Sequence, residues 1–394
     1  MNSPEKEKLH ILFLPRWYPN RYDPMFGLFV HRHAEAVALN HQVSVVYVNE
    51  AGSDQMKVYE INQAEEQGVF NTTIYYRKSS LKPGFLSKVI NIYRFFNANF
   101  VGIKLIKKNT GNFHLIHVHI LTRLGLIALW FNIANGIPYI ITEHWSRYLP
   151  LTNGFKGFWR KKLTKTIVRH ASAVTTVTDN LADAMKNHGL LNPNYVVLPN
   201  VVDVRLFNIL HQKTNKPIRM VHISCFEDRS KNISGLMNSF RKLSKVRQDF
   251  ECVLVGDGLD YQKIKNSAVD LESAGLVRFT GLLQNQELVE ELAASDFLVL
   301  FSNYENMPVV ILEAFACGIP VVATRVGGIP EMVNKENGLL VDASDETQLV
   351  DALDAMLGSF KMYDPILLRE SVRLTNSYEA VGEFLSKLYL KSIR

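Results

Sequence analysis

Glu305 and Glu313 stand eight positions apart, and the residues around them predict where each carboxylate lies. Pro308 suits the first position of a helix, because its missing N–H would be unpaired there in any case. Gly318 suits the position just beyond the helix end, where a left-handed backbone is needed. The sequence therefore predicts Glu305 on a loop before the helix and Glu313 inside the helix.

The start of this helix is a candidate site for a diphosphate. The N–H groups of Asn306, Met307 and Val309 would be unpaired at a helix N-terminus, where the helix dipole also favours an anion. Glu305 would then stand just beyond the phosphates, where a sugar would lie. Glu313 could accept hydrogen bonds from vicinal hydroxyls such as those of a ribose. For two isolated glutamates the alternative is that both are ordinary helix-start and solvent-facing residues.

A strand, a turn and a second helix follow. Residues 319–324 form an apolar run rich in β-branched side chains, which predicts a buried parallel strand. Gly327 and Gly328 predict a turn, and Pro330 with Glu331 predicts the start of another helix. The two glutamates are thus expected to be positioned by alternating strands and helices.

The whole string SNYENMPVVILEAFACGIPVVATRVGGIPEMV at 302–333 closely resembles the Glu-x7-Glu segment of the family 4 retaining glycosyltransferases. The likeness continues through NGLLV at 337–341. The resemblance implies the GT-B fold, an α/β architecture of two Rossmann-like, doubly wound parallel-sheet domains that face each other across a cleft. It also implies an enzyme that moves a sugar from a nucleotide-diphospho-sugar to an acceptor hydroxyl.

Length and composition agree with two globular domains. The chain has 394 residues, of which 47% are hydrophobic and 21% charged. That is long for a single core and ordinary in composition for a soluble protein. The three cysteines, Cys225, Cys252 and Cys317, lack metal-ligand spacing and favour a reducing compartment. No signal peptide is visible, and residues 124–142 are broken by Gly136 and Pro138, so we expect a cytoplasmic protein.

The net charge of +6 conceals an asymmetry along the chain. Residues 1–200 hold 23 Lys and Arg against 12 Asp and Glu, whereas residues 201–394 hold 21 against 26. Within 71–170 there are 16 basic residues and a single acid, Glu143. Like charges repel in a compact state, so this excess predicts an anionic partner for the first half.

Two basic segments in this region also carry aromatic residues, at 85–108 and 155–169. One interpretation is that both are helices that face the core and leave their basic side chains in solvent. The other is that they lie on an anionic membrane surface at the cytoplasmic face, as basic amphipathic helices do. Both interpretations stay open at this point.

In the first half, a strand at 9–14, a loop that contains Gly27 and a helix at 31–39 form the simplest anion-binding unit. Residues 50–80 are polar and predict little structure. His144 directly follows a predicted strand at 138–142, where ligands of parallel sheets bind. The family resemblance implies that the backbone of Gly27 contacts the donor, although Leu28 replaces the usual second glycine. It also implies that His144 touches the donor sugar.

In the second half, the resemblance assigns four further residues to the donor. Residues 224–232 are similar to the family's phosphate-contacting loop, and Lys231 aligns with its lysine. Phe226 occupies the position of the usual arginine, so Arg229 is the nearby substitute. The resemblance further implies donor contacts for Gly256, in a strand-turn sequence, and for Leu283, whose segment would meet the nucleotide base.

From these observations we expect three regions. They are an acceptor-binding domain at 1–205, a nucleotide-sugar-binding domain at 206–372, and a C-terminal helix at 373–394 that the resemblance implies packs back on the first domain. The chain contains no Asp-x-Asp, the motif by which another glycosyltransferase architecture holds a divalent ion. We therefore expect neither a metal nor a cofactor. Helix dipoles, glycine-loop amides and Lys231 would offset the charge of the diphosphate instead.

The resulting hypothesis is a retaining glycosyltransferase that uses a UDP- or GDP-sugar and a glycan or lipid-linked acceptor, in surface polysaccharide assembly, without nucleic acid as a partner. Glu305 would position and stabilise rather than attack the sugar. Two alternatives remain, a nucleotide-sugar 2-epimerase of the same fold and a non-enzymatic nucleotide-sugar sensor.

Overall fold

The computed structural model describes residues 8–51, 57–82, 84–121, 123–150, 152, 154–208 and 217–393. The chain divides into two units. The first comprises Met1–Val177, Ala182–Val201 and Tyr378–Arg394, and the second comprises Thr178–Leu181 and Val202–Ser377. The main division thus falls at Val201 and Val202 rather than at 205 and 206, and the C-terminal segment begins at Tyr378 rather than at 373.

The first unit is built on an eight-stranded sheet. Its strands are β1 (His10–Pro15), β2 (Gln42–Ala51), β3 (Tyr59–Glu66), β4 (Val69–Arg77), β5 (Leu115–His119), β6 (Tyr139–Glu143), β7 (Ala173–Thr176) and β8 (Tyr195–Val197). The spatial order is β3-β4-β2-β1-β5-β6-β7-β8, and every described pairing is parallel except that of β3 with β4. Strands β1, β5 and β6 are buried throughout, as central strands of a parallel sheet are.

Five helices lie among the described residues between β1 and β8. They are α1 (Leu28–Ala38), α2 (Phe85–Thr110), α3 (Leu124–Asn135), α4 (Phe158–His170) and α5 (Asp179–Asn187), with a 3-10 turn at Ser146–Tyr148. The expected break of the apolar stretch at 124–142 is confirmed, because α3 ends at Gly136 in a left-handed conformation before β6 begins. Among the described residues, no helix reaches the length and hydropathy needed to cross a bilayer.

The hairpin of β3 and β4 was not predicted from the polar residues at 50–80. Most side chains of β3 are exposed, so the strand has no apolar alternation to reveal it. The two turn residues give a weak sequence signal for this hairpin. Gln67 and Gly68 have φ angles of 50° and 77°, which is the backbone of a two-residue hairpin with a glycine second.

The second unit contains a six-stranded parallel sheet. Its strands are β9 (Ile218–Ile223), β10 (Phe250–Val255), β11 (Val277–Gly281), β12 (Phe297–Leu300), β13 (Val321–Thr324) and β14 (Gly338–Val341), in the order β11-β10-β9-β12-β13-β14. Its helices are α6 (Asp228–Lys231), α7 (Ile233–Leu243), α8 (Tyr261–Ser267), α9 (Val269–Ser273), α10 (Asn285–Ala293), α11 (Val309–Ala316), α12 (Ile329–Met332), α13 (Glu346–Ser359) and α14 (Pro365–Asn376), with a 3-10 turn at Phe360–Met362.

Both faces of this second sheet are buried under helices. Along β10, Cys252 and Leu254 belong to one apolar cluster, whereas Val253 and Val255 belong to another. Alternate residues of a strand point to opposite faces, so the two clusters are the two cores of a doubly wound sheet. The predicted fold class is therefore confirmed: an α/β protein with two parallel-sheet domains.

Each sheet has a switch point beside its first strand, from which the later strands are added on both sides. In the first unit β1 lies between β2 and β5, and in the second unit β9 lies between β10 and β12. Loops that leave neighbouring strands in opposite directions open a crevice beyond the carboxyl ends, where ligands of such sheets bind. The loops after β1, β5, β9 and β12 are therefore the ones that the fold makes available for function.

The final helix, α15 (Tyr378–Ser392), belongs to the first unit and packs on α1. Gly382 brings the two helices close, since a Cβ atom there would lie 2.2 Å from the carbonyl oxygen of Ala36. His41 Nε2 and Ser386 Oγ are 2.8 Å apart, and His117 Nδ1 and Tyr389 Oη are 2.7 Å apart. The C-terminal helix is thus held by both close backbone packing and buried polar contacts.

Gly382→Ala is expected to lower the unfolding midpoint of the full chain. Alanine favours a helix, but here its methyl group would force α15 away from Ala36, at a cost of about 1–3 kcal/mol. Gly358→Ala is the matched control, because Gly358 lies in α13 and a Cβ atom there would meet nothing within 4 Å. That change should gain about 0.5–1 kcal/mol. Equal stabilisation by both variants, measured by calorimetry, would contradict the packing of α15 on α1.

Candidate active site

An ion pair joins the two loops at the switch point of the second sheet. Lys231 Nζ donates to Glu305 Oε1 over 2.5 Å, and Ser302 Oγ donates to the same oxygen over 2.9 Å. Both charged groups are largely removed from solvent, since 18% of the Lys231 side chain and 9% of Glu305 are exposed. Strands β9 and β12 are parallel neighbours, so the loops that follow them begin at one edge of the sheet.

Hydrogen bonds between the loops fix the separation of this pair. The N–H of Asn303 donates to the carbonyl of Ser230 over 2.8 Å, and Asn303 Nδ2 donates to the carbonyl of Arg229 over 3.1 Å. The helix α6 ends at Asn232 in a left-handed conformation with φ 49°. Lys231 is consequently the last residue of α6 and faces the loop that carries Glu305.

The charges at this site are set by burial and pairing. Burial lowers the pKa of Lys231, but the charge and hydrogen bond of Glu305 outweigh it, so the pKa is raised overall. Lys231 therefore stays protonated at neutral pH. Burial also lowers the pKa of the nearby His222 to about 4, and the charge of Lys231 adds to this effect. His222 is consequently neutral, and its ring nitrogens contact the carbonyl of Val299 and the hydroxyl of Ser224.

The turn at Gly327 and Gly328 supports the backbone of Glu305. A Cβ atom at Gly327, whose φ is 56°, would lie 1.8 Å from the carbonyl oxygen of Glu305. The N–H of Gly328 donates to the carbonyl of Asn306 over 2.8 Å, and Thr324 Oγ1 donates to the carbonyl of Ser302 over 2.7 Å. Glycine is required here for both the left-handed backbone and the close approach.

The helix after Glu305 begins one residue later than predicted. Pro308 has an extended backbone and is the N-cap of α11, so Val309 is the first helical residue. Gly318 lies beyond the helix end with φ 76°, as predicted. Glu313 is inside α11 and 8% exposed. The interpretation of the two glutamates as solvent-facing is therefore wrong, because both are buried.

The other donor-site candidates of the second unit lie on neighbouring loops. Gly256 has φ 135°, and a Cβ there would lie 1.9 Å from the carbonyl oxygen of Ser224. Asn306 and Met307 are half-buried beside Glu305, and Leu283 is half-buried against the apolar core. The Gly256 contact shows that only a glycine lets the turn after β10 approach the loop of Lys231.

Phe226 and Arg229 differ in environment. Phe226 is fully buried, with its ring against Tyr261 and Phe279, so an apolar contact occupies the place of the family's arginine. Arg229 is exposed, and its guanidinium makes no hydrogen bond or ion pair with any residue that the structure describes. Arg229 is the cation of this loop that remains available to a ligand.

In the first unit, Gly27 lies at the start of a helix and His144 lies at the end of a strand. Gly27 is the N-cap of α1 with φ 70°, and a Cβ there would lie 2.3 Å from the carbonyl carbon of Trp17. His144 directly follows β6 and is buried, with its Nε2 3.3 Å from Nδ1 of His119. Burial lowers the pKa of His144 well below its usual value, and His33 and His117 add to that. The imidazole is therefore neutral at pH 7.

Three residues around His144 were not predicted as part of a site. His33, from α1, has its ring 5.6 Å from that of His144, and His119 is the last residue of β5. Glu143 accepts N–H groups of Leu121, His144 and Trp145. Burial raises the pKa of Glu143 to about 7, although these hydrogen bonds oppose the shift. For His119 and Glu143 the position at a strand end was a usable signal, whereas nothing in the sequence singled out His33.

The predicted site residues are thus distributed over both units. Gly27 and His144 belong to the first, and the remaining ten belong to the second: Arg229, Lys231, Gly256, Leu283, Glu305, Asn306, Met307, Pro308, Val309 and Glu313. Of these, Lys231 and Glu305 are in direct contact. Within the described ranges, no group of three or more His, Cys, Asp or Glu side chains is placed to hold a metal ion. Metal independence stays a prediction.

Comparison of the sequence with protein families gives two matches that together span most of the chain. The description "Glycosyltransferase Family 4" matches residues 27–206, and "Glycosyl transferases group 1" matches residues 209–364. The boundary between the two matches falls close to the division between the units.

Two curated relatives illustrate the likeness. The N-acetyl-alpha-D-glucosaminyl L-malate synthase of Bacillus anthracis is 29% identical over 54% of this chain and 60% of its own length. A putative teichuronic acid biosynthesis glycosyltransferase of Bacillus subtilis is 25% identical over 88% of both chains.

Solved structures share the fold. Sucrose-phosphate synthase from Thermosynechococcus elongatus superposes with a TM-score of 0.74 at 17% identity, over 98% of this chain and 99% of that one. An Anabaena protein crystallised in complex with UDP-glucose gives a TM-score of 0.64 at 17% identity, over 96% and 99%. At these identities the likeness shows a common GT-B fold.

Gly327→Ala is expected to destabilise the protein more than Gly275→Ala. Both glycines have left-handed backbones, with φ 56° and 71°, but a Cβ at Gly275 meets nothing within 4 Å. Each alanine should cost about 1 kcal/mol for its backbone. The clash with Glu305 should cost Gly327→Ala a further 1–3 kcal/mol or so. Equal midpoints in urea unfolding would show that the turn does not support Glu305.

Proposed function

Because this chain belongs to the family 4, group 1 glycosyltransferases, we propose that it transfers a sugar from a nucleotide-diphospho-sugar to an acceptor hydroxyl with retention of the anomeric configuration. The observation that carries the proposal is the contact of Lys231 with Glu305 at the carboxyl ends of β9 and β12. A cation and a carboxylate at a topological switch point suit a substrate that has a diphosphate beside a sugar.

Lys231 is proposed to stabilise the departing diphosphate. As the bond between the anomeric carbon and the phosphate oxygen breaks, negative charge grows on the diphosphate, and a fixed cation lowers the energy of that state. Arg229, with no partner among the described residues, is proposed to contribute a second positive charge. The N–H groups at the start of α11 are proposed to bind the phosphates as well.

Glu305 is proposed to orient the donor sugar and to stabilise the positive charge that develops at its anomeric carbon. Both described hydrogen bonds to this carboxylate reach Oε1. Oε2 is therefore proposed to face the sugar. The acceptor oxygen bonds to the anomeric carbon on the face that the diphosphate leaves, and the acceptor proton passes to the departing phosphate oxygen. His144 is proposed to touch the donor sugar, and Glu313 the ribose.

UDP- and GDP-sugars are the proposed donors, and the fold shared with a UDP-glucose complex supports the first of these. A glycan or lipid-linked acceptor in surface polysaccharide assembly is proposed from the relative named for teichuronic acid biosynthesis. We further propose that no divalent metal is needed, since Lys231 and helix amides supply the positive potential that a metal would otherwise provide.

An anionic membrane surface is the proposed location of the acceptor reaction. On α2 and α4, large apolar side chains are exposed among basic ones, with Phe85 84%, Phe158 73% and Trp159 76% exposed. Both helices also face the core, since Ile106 of α2 and Ile167 of α4 are buried, so the exposed side chains lie outside the core-facing surface. Aromatic side chains beside lysines and arginines are suited to the headgroup region of an anionic bilayer.

Glu305→Gln is expected to abolish turnover while nucleotide-sugar binding persists. The wild-type protein should show a raised thermal midpoint with one family among UDP-, GDP-, ADP- and CDP-sugars in the presence of EDTA, because a ligand of the folded state stabilises it. The variant should keep that shift, whereas nucleoside diphosphate release with a panel of glycan acceptors should fall about 10²- to 10³-fold. Glu336→Gln, an exposed glutamate of the same unit, is the matched control.

Three outcomes would overturn the assignment. A shift that appears only with added divalent metal contradicts metal independence. Conversion of the donor to an isomer without acceptor indicates an epimerase, and binding without any turnover of the wild type indicates a sensor. The anomeric coupling constant of the product, measured by NMR, tests retention directly.

The double variant Phe158→Ser/Trp159→Ser is expected to weaken binding to vesicles that contain anionic lipid about tenfold or more. Each aromatic side chain that no longer enters the bilayer loses more than about 1 kcal/mol of hydrophobic stabilisation. Ile366→Ser with Leu367→Ser is the matched control, because these are also adjacent, exposed apolar residues at a helix start. If both double variants sediment with the vesicles to the same extent, membrane contact through α4 is contradicted.

A further inference from the structure

A cavity of about 570 Å³ in the first unit has an unusual concentration of positive charge. Four arginines contribute to its lining, Arg16, Arg123, Arg147 and Arg160, and among the described residues Glu50 is the only acid that lines it. A cavity of this volume is within the range of small-molecule sites, and it is larger than a single phosphate requires. The ligand that it suits therefore has both an anionic group and further atoms.

The fold explains why three of these arginines converge. Arg16 directly follows β1, Arg123 lies in the loop after β5, and Arg147 lies in the loop after β6. These strands are consecutive in the parallel sheet, so their carboxyl ends lie side by side. The first two loops leave the sheet at its switch point, the place where parallel sheets bind ligands. Arg160, from α4, adds the fourth charge.

Neighbouring side chains offset this positive charge only in part. In the part of the chain that the structure describes, no hydrogen bond or ion pair engages the guanidinium of Arg16, Arg123 or Arg147. The Nε atom of Arg147 is buried without a hydrogen-bond partner. Burial lowers the pKa of Arg16 and of Arg147, and repulsion among the arginines lowers both further, although the charge of Glu143 opposes the shift. Charges that repel one another in this way gain from an anion between them.

The two nearby acids are occupied elsewhere. Glu50 forms an ion pair with Lys78 over 2.8 Å and accepts the hydroxyl of Tyr76 over 3.2 Å. Glu143 uses its carboxylate for three backbone N–H groups. Neither is therefore bound to the arginines of the cavity, which keeps their donors free for a ligand.

The position of Arg147 is fixed by an aromatic ring. Its guanidinium lies 3.5 Å from the ring centroid of Trp145, and that of Arg16 lies 5.6 Å from the same centroid. Stacking holds a guanidinium plane in place while its N–H groups remain free to donate in that plane. Trp17 and Tyr47 also line the cavity.

We propose that this arginine cavity binds an oxyanion of the acceptor, a phosphate or a carboxylate attached to a sugar-sized group. The inference rests on the proposed glycosyl transfer, and it adds that the acceptor is anionic and that Arg16, Arg123 and Arg147 select it. Guanidinium groups bind such oxyanions through paired N–H donors, whereas a neutral acceptor would leave the arginines without partners.

The test is a titration of tryptophan fluorescence with inorganic pyrophosphate, with D-glucuronate and with uncharged D-glucose. All four tryptophans of the chain, Trp17, Trp130, Trp145 and Trp159, belong to the first unit, so the signal reports on that unit. The titration is done in wild type and in Lys231→Met, which removes the proposed phosphate contact of the second unit. Because it needs neither donor nor turnover, failure of the proposed transfer reaction leaves this result unaffected.

Saturable binding of pyrophosphate, of glucuronate or of both is expected, together with none of glucose. A pyrophosphate response alone identifies a phosphorylated acceptor, and a glucuronate response alone identifies an acidic sugar. Arg147→Gln should raise the Kd about 10- to 100-fold, as the loss of a charge-assisted hydrogen bond does. Arg169→Gln is the control, since Arg169 is an exposed residue of α4 outside the cavity, and it should change the Kd less than about twofold.

Arg123→Gln provides a second variant if Arg147→Gln does not fold, because Arg123 is more exposed and contributes to the same cavity. Circular dichroism checks folding in each case. The proposal is overturned by the absence of saturable binding of either anion. It is also overturned by equal effects of the cavity variants and Arg169→Gln, or by glucose binding as tightly as glucuronate.

Discussion

The ion pair of Lys231 and Glu305 is the interaction on which the site of the second unit depends. An unpaired charge is costly in a poorly solvated place, and here each of the two side chains supplies the opposite charge for the other. The hydrogen bonds of Asn303 to two backbone carbonyls keep the loops at the distance that the pair needs. The Gly327 turn supports the opposite side, where only a glycine fits.

A parallel sheet brings residues such as Lys231 and Glu305 together without long loops. In each unit, strands whose carboxyl ends lie together release loops in opposite directions, so residues far apart in sequence come to one edge. In the second unit the edge holds the pair of Lys231 and Glu305, with the exposed Arg229 on the same loop as Lys231. In the first unit it holds arginines in excess, with the acids nearby bound to lysine, tyrosine and backbone groups. Three of the 16 basic residues at 71–170 thus line the arginine cavity: Arg123, Arg147 and Arg160.

Neutral histidines make up the other polar feature of the first unit. His117, His119 and His144 are buried, and burial lowers the pKa of each well below its usual value. They therefore act as hydrogen-bonding and packing groups at neutral pH rather than as cations. Because these histidines are neutral, the arginines are the main source of positive potential in this region. The packed histidine cluster and the charged cavity are thus distinct features, although their residues are close in sequence.

The sequence by itself determined the doubly wound fold class, the loop before α11, and Lys231 and Glu305 as separate candidate site residues. These follow from local rules: buried strands are apolar runs, glycine marks left-handed turns, and a long matching string marks a family. The sequence did not reveal the β3–β4 hairpin, because an exposed edge strand needs no apolar alternation. Nor did it show that Pro308 is the N-cap of α11 rather than its first helical residue, a difference of one position.

Tertiary structure alone decided which distant residues meet. Lys231 and Glu305 are 74 positions apart, and their contact arises because β9 pairs with β12. The arginines of the cavity come from four separate segments, and no spacing in the sequence connects them. Periodicity and turn residues specify each element on its own, whereas the order of strands in a sheet depends on the summed packing of all of them. Charges that must share one cavity are therefore visible only after the chain has folded.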